Sequence, residues 1–305
     1  MKLAAIDIGS NAVRCQISSV LHHNERNIFK RVEYLRYPIK FGEDVFTTGV
    51  ISEAKEERFT KFLHALKLLM EVHDVSHYMI CATSAMRQAE NAVGIIQRVQ
   101  DKLDMQINVI DGQTEAELIN KVIHNLLDDK NYLHIDVGGG STEFNVYVDH
   151  EKVASQSFEM GSIRYQVGSK TDEIWMAMKQ WVKENTRKKH VSRAIGTGGN
   201  INKIYEMAGK MAGKPIFRKQ IEEIVDQLEV MTMDEKLTVL LLNPDRADVI
   251  VPAARIYLSA MKWARIESML VPTVGLKDGI LQALYEKHYT RSEPINADFE
   301  NKQIN

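Results

Sequence analysis

The chain has 305 residues, of which 44% are hydrophobic and 26% are charged, and its formal net charge is −2 at pH 7. These values are typical of a globular protein with room for two domains. The nearly balanced charge argues against a protein that coats nucleic acid. No apolar run reaches the roughly 18 residues of a membrane span. The N-terminus lacks the apolar segment and cleavage site of a secretory signal, so we expect a cytoplasmic protein.

Apolar and β-branched segments alternate with helical patterns along the chain, which predicts an α/β fold. The predicted strands are, in chain order, "LAAIDI", "HYMICA", "INVI", "YLHIDV" and "SMLVPTV". The clearest helix covers about 53–73, with Ser52 as its N-cap. Further helices are predicted after "VIDGQ" and over about 89–100, 172–187, 200–210 and 218–230. In the last third, "RADVIVPAARIYLSAMKWARI" is the longest helical element, with Pro252 near a start or a kink.

The two cysteines, Cys15 and Cys81, both fall in predicted strands. We expect buried, reduced thiols rather than a disulfide. No spacing of cysteine and histidine residues indicates a zinc site.

One pattern occurs twice along the chain. "AAIDIGSNAVRCQIS" and "HIDVGGGSTEFNVYV" each contain an apolar strand that ends in an aspartate, a turn of small residues and a second strand with strict alternation. The two aspartates, Asp7 and Asp136, are separated by roughly one domain length. We therefore expect two homologous halves, a domain at 1–122 and a second at 123–286, with the tail at about 287–305 able to pack back on the first.

The three glycines of "DVGGGSTEF" allow several interpretations. A nucleotide-binding glycine loop requires a helix directly after it, whereas the alternation after Ser141 and Thr142 indicates a strand. The glycines therefore form a hairpin turn. Its backbone N–H groups could bind an anion, or glycine could simply supply positive φ at a hairpin tip. Two such loops with matching aspartates favour phosphate binding.

Eight ordered segments support a resemblance to a known family. They are "DIGSNAVR", "ATSAMRQAEN", "IDGQTEAELI", "IDVGGGSTEF", "MGSIR", "GTGGNI", "RADVI" and "VGLKDGIL". Through these eight segments, taken in order, the chain resembles the Ppx/GppA family of exopolyphosphatases and guanosine pentaphosphate phosphohydrolases, within the actin-like ATPase superfamily. The resemblance implies two actin-like (ribonuclease H-like) domains, a cleft between them and a Mg²⁺-dependent phosphoanhydride hydrolase in a short, two-domain form. It also allows a homodimer. From the balanced charge and the lack of a long apolar run, we expect no nucleic-acid or membrane partner.

Carboxylates at strand ends are the candidate metal ligands. Asp7 and Asp136 occupy the position expected for side chains that hold Mg²⁺ directly or through water, and Glu143 is a further candidate. The candidate phosphate-binding residues lie in the two turns, in "TSAMR" and in "GTGGNI". They are Gly9, Ser10, Asn11, Arg87, Gly138, Gly139, Gly140, Ser141, Thr142 and Gly198. In the same family motifs, Arg164 is less clearly functional and is also consistent with a structural role.

The candidate catalytic group is Glu115. "DGQTEAELI" places Thr114 and Glu117 in a capping-box pattern, which engages Glu117 and leaves Glu115 in the first helical turn. The residues alone leave open whether Glu115 faces the cleft or only favours the helix dipole. The family's catalytic glutamate lies at the matching position, so the resemblance implies that Glu115 is the base.

Three functions follow from this sequence. The first is an exopolyphosphatase, with cleavage of guanosine pentaphosphate as its sister activity. The second is an actin-like kinase or ATPase, and the third is a non-catalytic binder of polyphosphate or alarmone. A water-orienting glutamate favours hydrolysis. Because the proposed ligands come from both domains, we also expect the cleft to close on substrate.

Overall fold

A computed structural model describes residues 1–23, 26–168 and 171–289. The tail beyond residue 289 lies outside these ranges, so its packing on the first domain stays a prediction. Within them, no helix combines the length and the hydropathy needed to cross a bilayer. Cys15 and Cys81 are both buried and free, which confirms the expectation of reduced thiols.

The first sheet has five strands in the spatial order β3-β2-β1-β4-β5. They are β1 (Lys2–Ile8), β2 (Val13–His23), β3 (Arg26–Tyr37), β4 (His77–Ala82) and β5 (Ile107–Val109). Strands β1, β2 and β3 form an antiparallel meander, and β4 joins β1 in parallel.

The second sheet has six strands in the order β10-β11-β9-β6-β7-β8. They are β6 (Tyr132–Val137), β7 (Thr142–Val148), β8 (Glu151–Phe158), β9 (Arg193–Thr197), β10 (Ile216–Phe217) and β11 (Ser268–Leu270). Here β6, β7 and β8 form the antiparallel meander, and β9 joins β6 in parallel. Counted from the outer strand of each meander, β3-β2-β1-β4-β5 and β8-β7-β6-β9-β11 match in order and direction. The α/β fold with two sheets is therefore confirmed, and the domain bounds stay a prediction.

Helices cover the two sheets. Those that precede the second sheet in sequence are α1 (Phe41–Thr48), α2 (Glu53–Val72), α3 (Ser84–Gln88), α4 (Ala92–Leu103) and α5 (Gly112–Ile123). The others are α6 (Ser162–Val167), α7 (Thr171–Thr186), α8 (Gly199–Met207), α9 (Arg218–Val230), α10 (Met233–Thr238), α11 (Pro244–Ala247), α12 (Ile250–Ala264) and α13 (Leu276–Tyr289). Short 3₁₀ segments follow α5 and α7, at His124–Leu126 and Arg187–Lys189.

Helix α2 confirms the clearest sequence prediction. It begins after Ser52, and Phe59, Leu63, Leu66 and Met70 are its buried residues. Their spacing of three and four residues places them on one face. The hydroxyl of Ser52 makes no capping hydrogen bond, so packing of this face holds the helix in place.

The long helix predicted over 246–266 is interrupted in the structure. Helix α11 ends at Ala247, and α12 begins after Val249, so Pro252 lies in the first turn of α12. Proline has no N–H to donate, and the first turn of a helix has no intrahelical acceptor for one. In a continuous helix, Pro252 would remove one backbone hydrogen bond and its ring would clash with the preceding turn. The break before α12 avoids both.

The last described helix returns to the first half of the molecule. Helix α13 packs on α5 and on β1. A Cβ at Gly279 would collide with the backbone carbonyl of Leu118, so the two helices approach at backbone distance. Leu276, Ile280 and Leu284 share a buried cluster with residues of both sheets. This cluster fixes the two halves against each other behind the cleft.

Candidate active site

Each half places a hairpin turn at the end of its first strand. The N–H of Gly9 donates to the carbonyl of Ala12 at 3.1 Å, and the N–H of Gly138 donates to the carbonyl of Ser141 at 2.9 Å. Both loops are therefore turns between antiparallel strands, as the alternation predicted. None of the four glycines in these turns has a positive φ, so conformational freedom at a hairpin tip does not explain them.

Close approach between the two halves explains Gly139 and Gly140 instead. A Cβ at Gly139 would lie 3.0 Å from the Cβ of Ser10, so the tips of the two turns face each other. A Cβ at Gly140 would overlap the Phe46 ring and the Ser84 hydroxyl. The second turn is thus pressed against the first half, with no room for a side chain.

The carbonyl groups of both turns bind the helices that follow the meanders. In the first half, the N–H of Gly42 donates to Ser10 at 2.8 Å, and that of Lys40 donates to Asn11 at 2.9 Å. In the second half, the N–H of Ser162 donates to Gly138 and that of Ile163 to Gly139, each at 2.9 Å. The carbonyls of the two turns therefore point toward the starts of α1 and α6.

The N–H groups at the tips of the turns differ from the carbonyls, because the protein does not use them as donors. Within the described residues, no hydrogen bond involves the N–H of Ser10, Asn11, Gly139 or Gly140. Amides that are not used by the protein and lie beside a cavity can bind an anion. The turns therefore have the polarity expected of a phosphate clamp.

A cavity of about 290 Å³ lies between the two turns. Most of the residues proposed from the sequence line it: Asp7, Gly9, Ser10, Asn11, Glu115, Asp136, Gly138, Gly139, Gly140, Ser141, Glu143 and Gly198. Two proposed residues do not line it. The Thr142 hydroxyl donates to the carbonyl of Met160, and the Arg87 guanidinium donates to the carbonyl of Ile110.

Helix α5 carries Glu115 to the cavity. Its N-cap is Asp111, whose carboxylate accepts the N–H of Thr114 at 2.7 Å. The predicted capping box of Thr114 and Glu117 is therefore wrong, because aspartate is a strong N-cap and stands three residues earlier. Glu117 is exposed and accepts the side-chain amide of Gln113 at 3.1 Å.

Glu115 itself is buried in the first turn of α5. Its side chain is 9% exposed, and among the described residues its Oε2 atom has no hydrogen-bond partner. A Cβ at Gly112 would lie 2.7 Å from the Cβ of Ser157, so only glycine lets the start of α5 come this close to β8. This contact holds Glu115 near Glu143 on β7.

Four carboxylates share the cavity, and burial raises the pKa of each. The pKa of Glu115 is raised well above its usual value by burial and then by the charges of Glu143, Asp136 and Asp7. Burial raises the pKa of Asp136 to about 6 and that of Glu143 to about 7. Burial also raises the pKa of Asp7, although the Arg14 guanidinium lies 3.1 Å away and opposes the shift. Burial is the largest cause of all four shifts, so the cavity disfavours the charged form of each carboxyl group.

The burial of these carboxyl groups predicts a pH-dependent stability. For Glu143, with a folded-state pKa of about 7 against 4.5 in the unfolded chain, the folded protein keeps a proton that the unfolded chain has lost. The stability that this proton contributes is present below pH 4.5 and is lost as pH rises through the folded pKa. We expect the free energy of unfolding to fall by about 1.4 kcal/mol per pH unit for one such group.

Denaturant unfolding between pH 4.5 and 8 measures this slope. Glu143→Gln should flatten the curve, and the exposed Glu117→Gln should reproduce that of the wild type. An equal slope in wild type and Glu143→Gln would contradict the burial cost assigned to Glu143.

The donor set is compatible with magnesium. Among the described residues, no three acidic, histidine or cysteine side chains converge closely enough to hold a metal alone. Mg²⁺ usually binds through one or two carboxylates together with waters and substrate phosphates, so it does not need such a group. The partnerless oxygen of Glu115 and the mutually repelling carboxylates fit a divalent cation at this place.

The arginine beside Asp7 is a site residue that the sequence analysis did not single out. Arg14 stands directly opposite Asp7 in the β1–β2 pair, and its guanidinium donates to the Asp7 carboxylate. Such cross-strand pairing of opposite charges follows from hairpin register, so counting back from the turn could have revealed it. Thr83 and Ser84 also line the cavity, and the Ser84 hydroxyl lacks a partner within the described part of the chain.

Arg164 holds the glycine turn from outside the cavity. Its Nε donates to the carbonyl of Gly140 at 3.0 Å, and its guanidinium lies 4.0 Å from the centre of the Phe46 ring.

The "GTGGNI" loop does precede a helix, α8, as predicted. In it, Gly198 has φ +117, and its Cβ would lie 3.3 Å from Asp136 Oδ1. Glycine is thus required for this loop to reach the carboxylate.

Two matching sheets whose hairpin turns meet across a cleft define an actin-like two-domain protein. The chain belongs to the Ppx/GppA phosphatase family, whose model matches residues 19–288. A crystal structure of an exopolyphosphatase from Cytophaga hutchinsonii superposes with a TM-score of 0.81 at 24% identity, covering 94% of this chain and 98% of that chain.

Two sequence relatives carry different names. The chain is 31% identical over 276 residues to a bifunctional 3-dehydroquinate synthase/phosphatase from Fusobacterium nucleatum, covering 81% of this chain and 41% of that protein. It is 22% identical over 318 residues to a guanosine-5'-triphosphate,3'-diphosphate pyrophosphatase from Photobacterium profundum, covering 99% of this chain and 63% of that protein. The chain thus spans less than two thirds of the length of either relative.

Proposed function

We propose that this chain is an exopolyphosphatase-type hydrolase that releases terminal orthophosphate from inorganic polyphosphate. The observation that carries the proposal is the buried Glu115 carboxylate, which faces the cavity between the two turns with an oxygen that no described residue binds. A hydrolase needs such a group to position the attacking water. The fold shared with the exopolyphosphatase from C. hutchinsonii is in keeping with this assignment.

The two turns bind the terminal phosphate in this account. The N–H groups of Ser10, Asn11, Gly139 and Gly140 donate to its non-bridging oxygens from opposite sides. Donors aimed at an oxygen where charge accumulates stabilise the transition state more than the ground state. Because the turn carbonyls are held by α1 and α6, the donors are fixed in place before substrate arrives.

Glu115 orients the water and takes its proton. A general base works best when its pKa lies near the operating pH. Burial and the neighbouring carboxylates raise the pKa of Glu115 from the range of an ordinary glutamate toward that condition. Asp7, Asp136 and Glu143 are the groups we assign to Mg²⁺, which when bound neutralises charge on the phosphate oxygens.

Guanosine pentaphosphate is a second candidate substrate, because the relative from P. profundum is named for guanosine-5'-triphosphate,3'-diphosphate. It presents a terminal phosphoanhydride of the same chemistry to the clamp. The cavity residues that contact this terminal group would be the same for both substrates.

Orthophosphate release from three compounds tests the proposal. Long-chain polyphosphate, guanosine pentaphosphate and ATP are each supplied with Mg²⁺ and again after chelation. We expect Mg²⁺-dependent release from polyphosphate at the highest kcat/KM. Preference for guanosine pentaphosphate would select the second candidate. Turnover of ATP alone would indicate an actin-like ATPase, and binding without release of phosphate from any of the three would indicate a non-catalytic binder.

A further inference from the structure

A line of polar side chains runs from the surface of the second half to the cavity. The Ser155 hydroxyl on β8 donates to Asn145 Oδ1 at 2.7 Å. The Asn145 amide contacts His134 Nδ1 at 3.0 Å, and His134 Nε2 contacts the Thr197 hydroxyl at 2.8 Å. Thr197 in turn stands directly opposite Asp136 in the β6–β9 pair, so its side chain lies beside the carboxylate on the same face of the sheet.

Three members of this line are fully enclosed. His134, Asn145 and Thr197 each have 0% exposure. Burying polar groups is costly unless every donor and acceptor is paired, and apolar side chains would fill these positions without that requirement. The strands already have complete ladders with their neighbours. The network therefore has to be explained by its surroundings, and at its inner end Thr197 is the cross-strand neighbour of Asp136.

The contacts give the line a direction. Asn145 Oδ1 accepts from Ser155, so its amide nitrogen faces the ring and donates to His134 Nδ1. A ring that accepts at Nδ1 carries its hydrogen on Nε2 and donates it to the Thr197 oxygen. The Thr197 hydroxyl hydrogen is then left to point at the Asp136 carboxylate. Alternation places His134 and Asp136 on one face of β6, two residues apart.

We propose that His134 is a positioning residue that, through the Thr197 hydroxyl, fixes the orientation of the Asp136 carboxylate in the cavity. The proposal rests on the assignment of Asp136 to the hydrolytic site. Partners that orient a ligating carboxylate typically change activity or metal affinity by about 10–100-fold when removed. The Asn145 amide, held by the Ser155 hydroxyl, fixes the orientation of the His134 ring. The ring in turn fixes the orientation of the Thr197 hydroxyl.

Two matched substitutions separate positioning from simple packing. The amide of His134→Gln reaches toward the former Nε2 position and can donate to Thr197. The shorter His134→Asn keeps only a contact at the former Nδ1 position, with Asn145. Each variant breaks one buried hydrogen bond, so both should lose similar thermal stability. We expect His134→Asn to lower kcat by about 10-fold or more with little change in KM, and His134→Gln to lose much less.

Equal losses of kcat in the two variants would overturn the proposal, and so would wild-type kcat in both. Thr197→Ser, which keeps the hydroxyl, should resemble wild type more closely than Thr197→Val. The opposite order of these two would also count against the proposal.

Nuclear magnetic resonance of ¹⁵N-labelled imidazole gives a readout that needs no activity. The unmodified protein should show His134 as the Nε2–H tautomer, and its resonances should shift in Asp136→Asn, where the acceptor of the Thr197 hydroxyl changes. An Nδ1–H tautomer would mean that Thr197 donates to the ring rather than to Asp136, and would overturn the proposal. If none of the three phosphate compounds is hydrolysed, the proposed function fails, whereas the tautomer and its response to Asp136→Asn still decide the positioning claim.

Discussion

Glu115→Gln should lower kcat for orthophosphate release by about 10²–10⁴-fold, the usual contribution of a positioned general base. Glutamine fills the same space but cannot accept the proton of the attacking water. KM should change little, because the phosphate is held by the two turns rather than by Glu115. Removing a carboxylate whose pKa is raised by burial and then by its charged neighbours should also increase thermal stability at neutral pH.

Glu117→Gln is the matched control, since Glu117 lies two residues away on the exposed side of α5 and contacts Gln113. Steady-state phosphate release from the preferred substrate measures both variants. A full rate in Glu115→Gln would show that another group positions the water.

Gly161→Ala should reduce both stability and turnover although Gly161 does not line the cavity. A Cβ at this position would lie 2.5 Å from the carbonyl carbon and oxygen of Gly139 and from the amide nitrogen of Gly140. These are backbone atoms, so the second turn must move as a whole. Overpacking of this kind costs about 1–3 kcal/mol. A shift of the turn by about 1 Å can cost about 10²-fold in rate, since it misaligns the phosphate donors.

Gly94→Ala provides the comparison. Gly94 lies inside α4, where a new Cβ meets only the flexible end of Arg98. Alanine there should raise the free energy of unfolding by up to about 1 kcal/mol and leave kcat unchanged. Denaturant unfolding and phosphate release are measured for both variants. A Gly161→Ala protein with wild-type kcat would show that the position of the second turn does not control catalysis.

The paired turns could be predicted because their pattern is local. A strand that ends in aspartate, a turn of small residues and an alternating second strand are visible in neighbouring residues, and the structure shows them in both halves. The place of Glu115 in the first turn of α5 was also predicted from short-range spacing, whereas its burial was not, because the residues alone left open whether it faces the cleft. What the alternation did not decide was which face of each strand meets the cavity.

Thr142 illustrates this point. Ser141 and Glu143 line the cavity, whereas Thr142 between them turns away and binds the carbonyl of Met160. Side chains alternate between the faces of a strand, so Ser141 and Glu143 could have been grouped and Thr142 excluded. Thr142 was instead predicted to bind phosphate together with the glycine turn.

Other features depend on contacts between residues far apart in the chain. The collision that makes glycine necessary at 140 involves Phe46 and Ser84 of the other half. The return of α13 to the first sheet depends on the backbone contact of Gly279 with Leu118. Amino-acid composition and hydrophobic periodicity carry no information on which distant residues come into contact, so only the folded chain reveals these contacts. Arg87 is similar, because its motif does not show that the guanidinium binds the carbonyl of Ile110.

Hydrolysis of long-chain polyphosphate in ¹⁸O-labelled water shows whether water attacks the terminal phosphate and whether Glu115 is needed. We expect wild-type protein with Mg²⁺ to release orthophosphate carrying one oxygen from the solvent, and Glu115→Gln to form this product at least about 10²-fold more slowly. Transfer of the terminal phosphate to another acceptor, or labelled release at an equal rate in both proteins, would contradict this expectation.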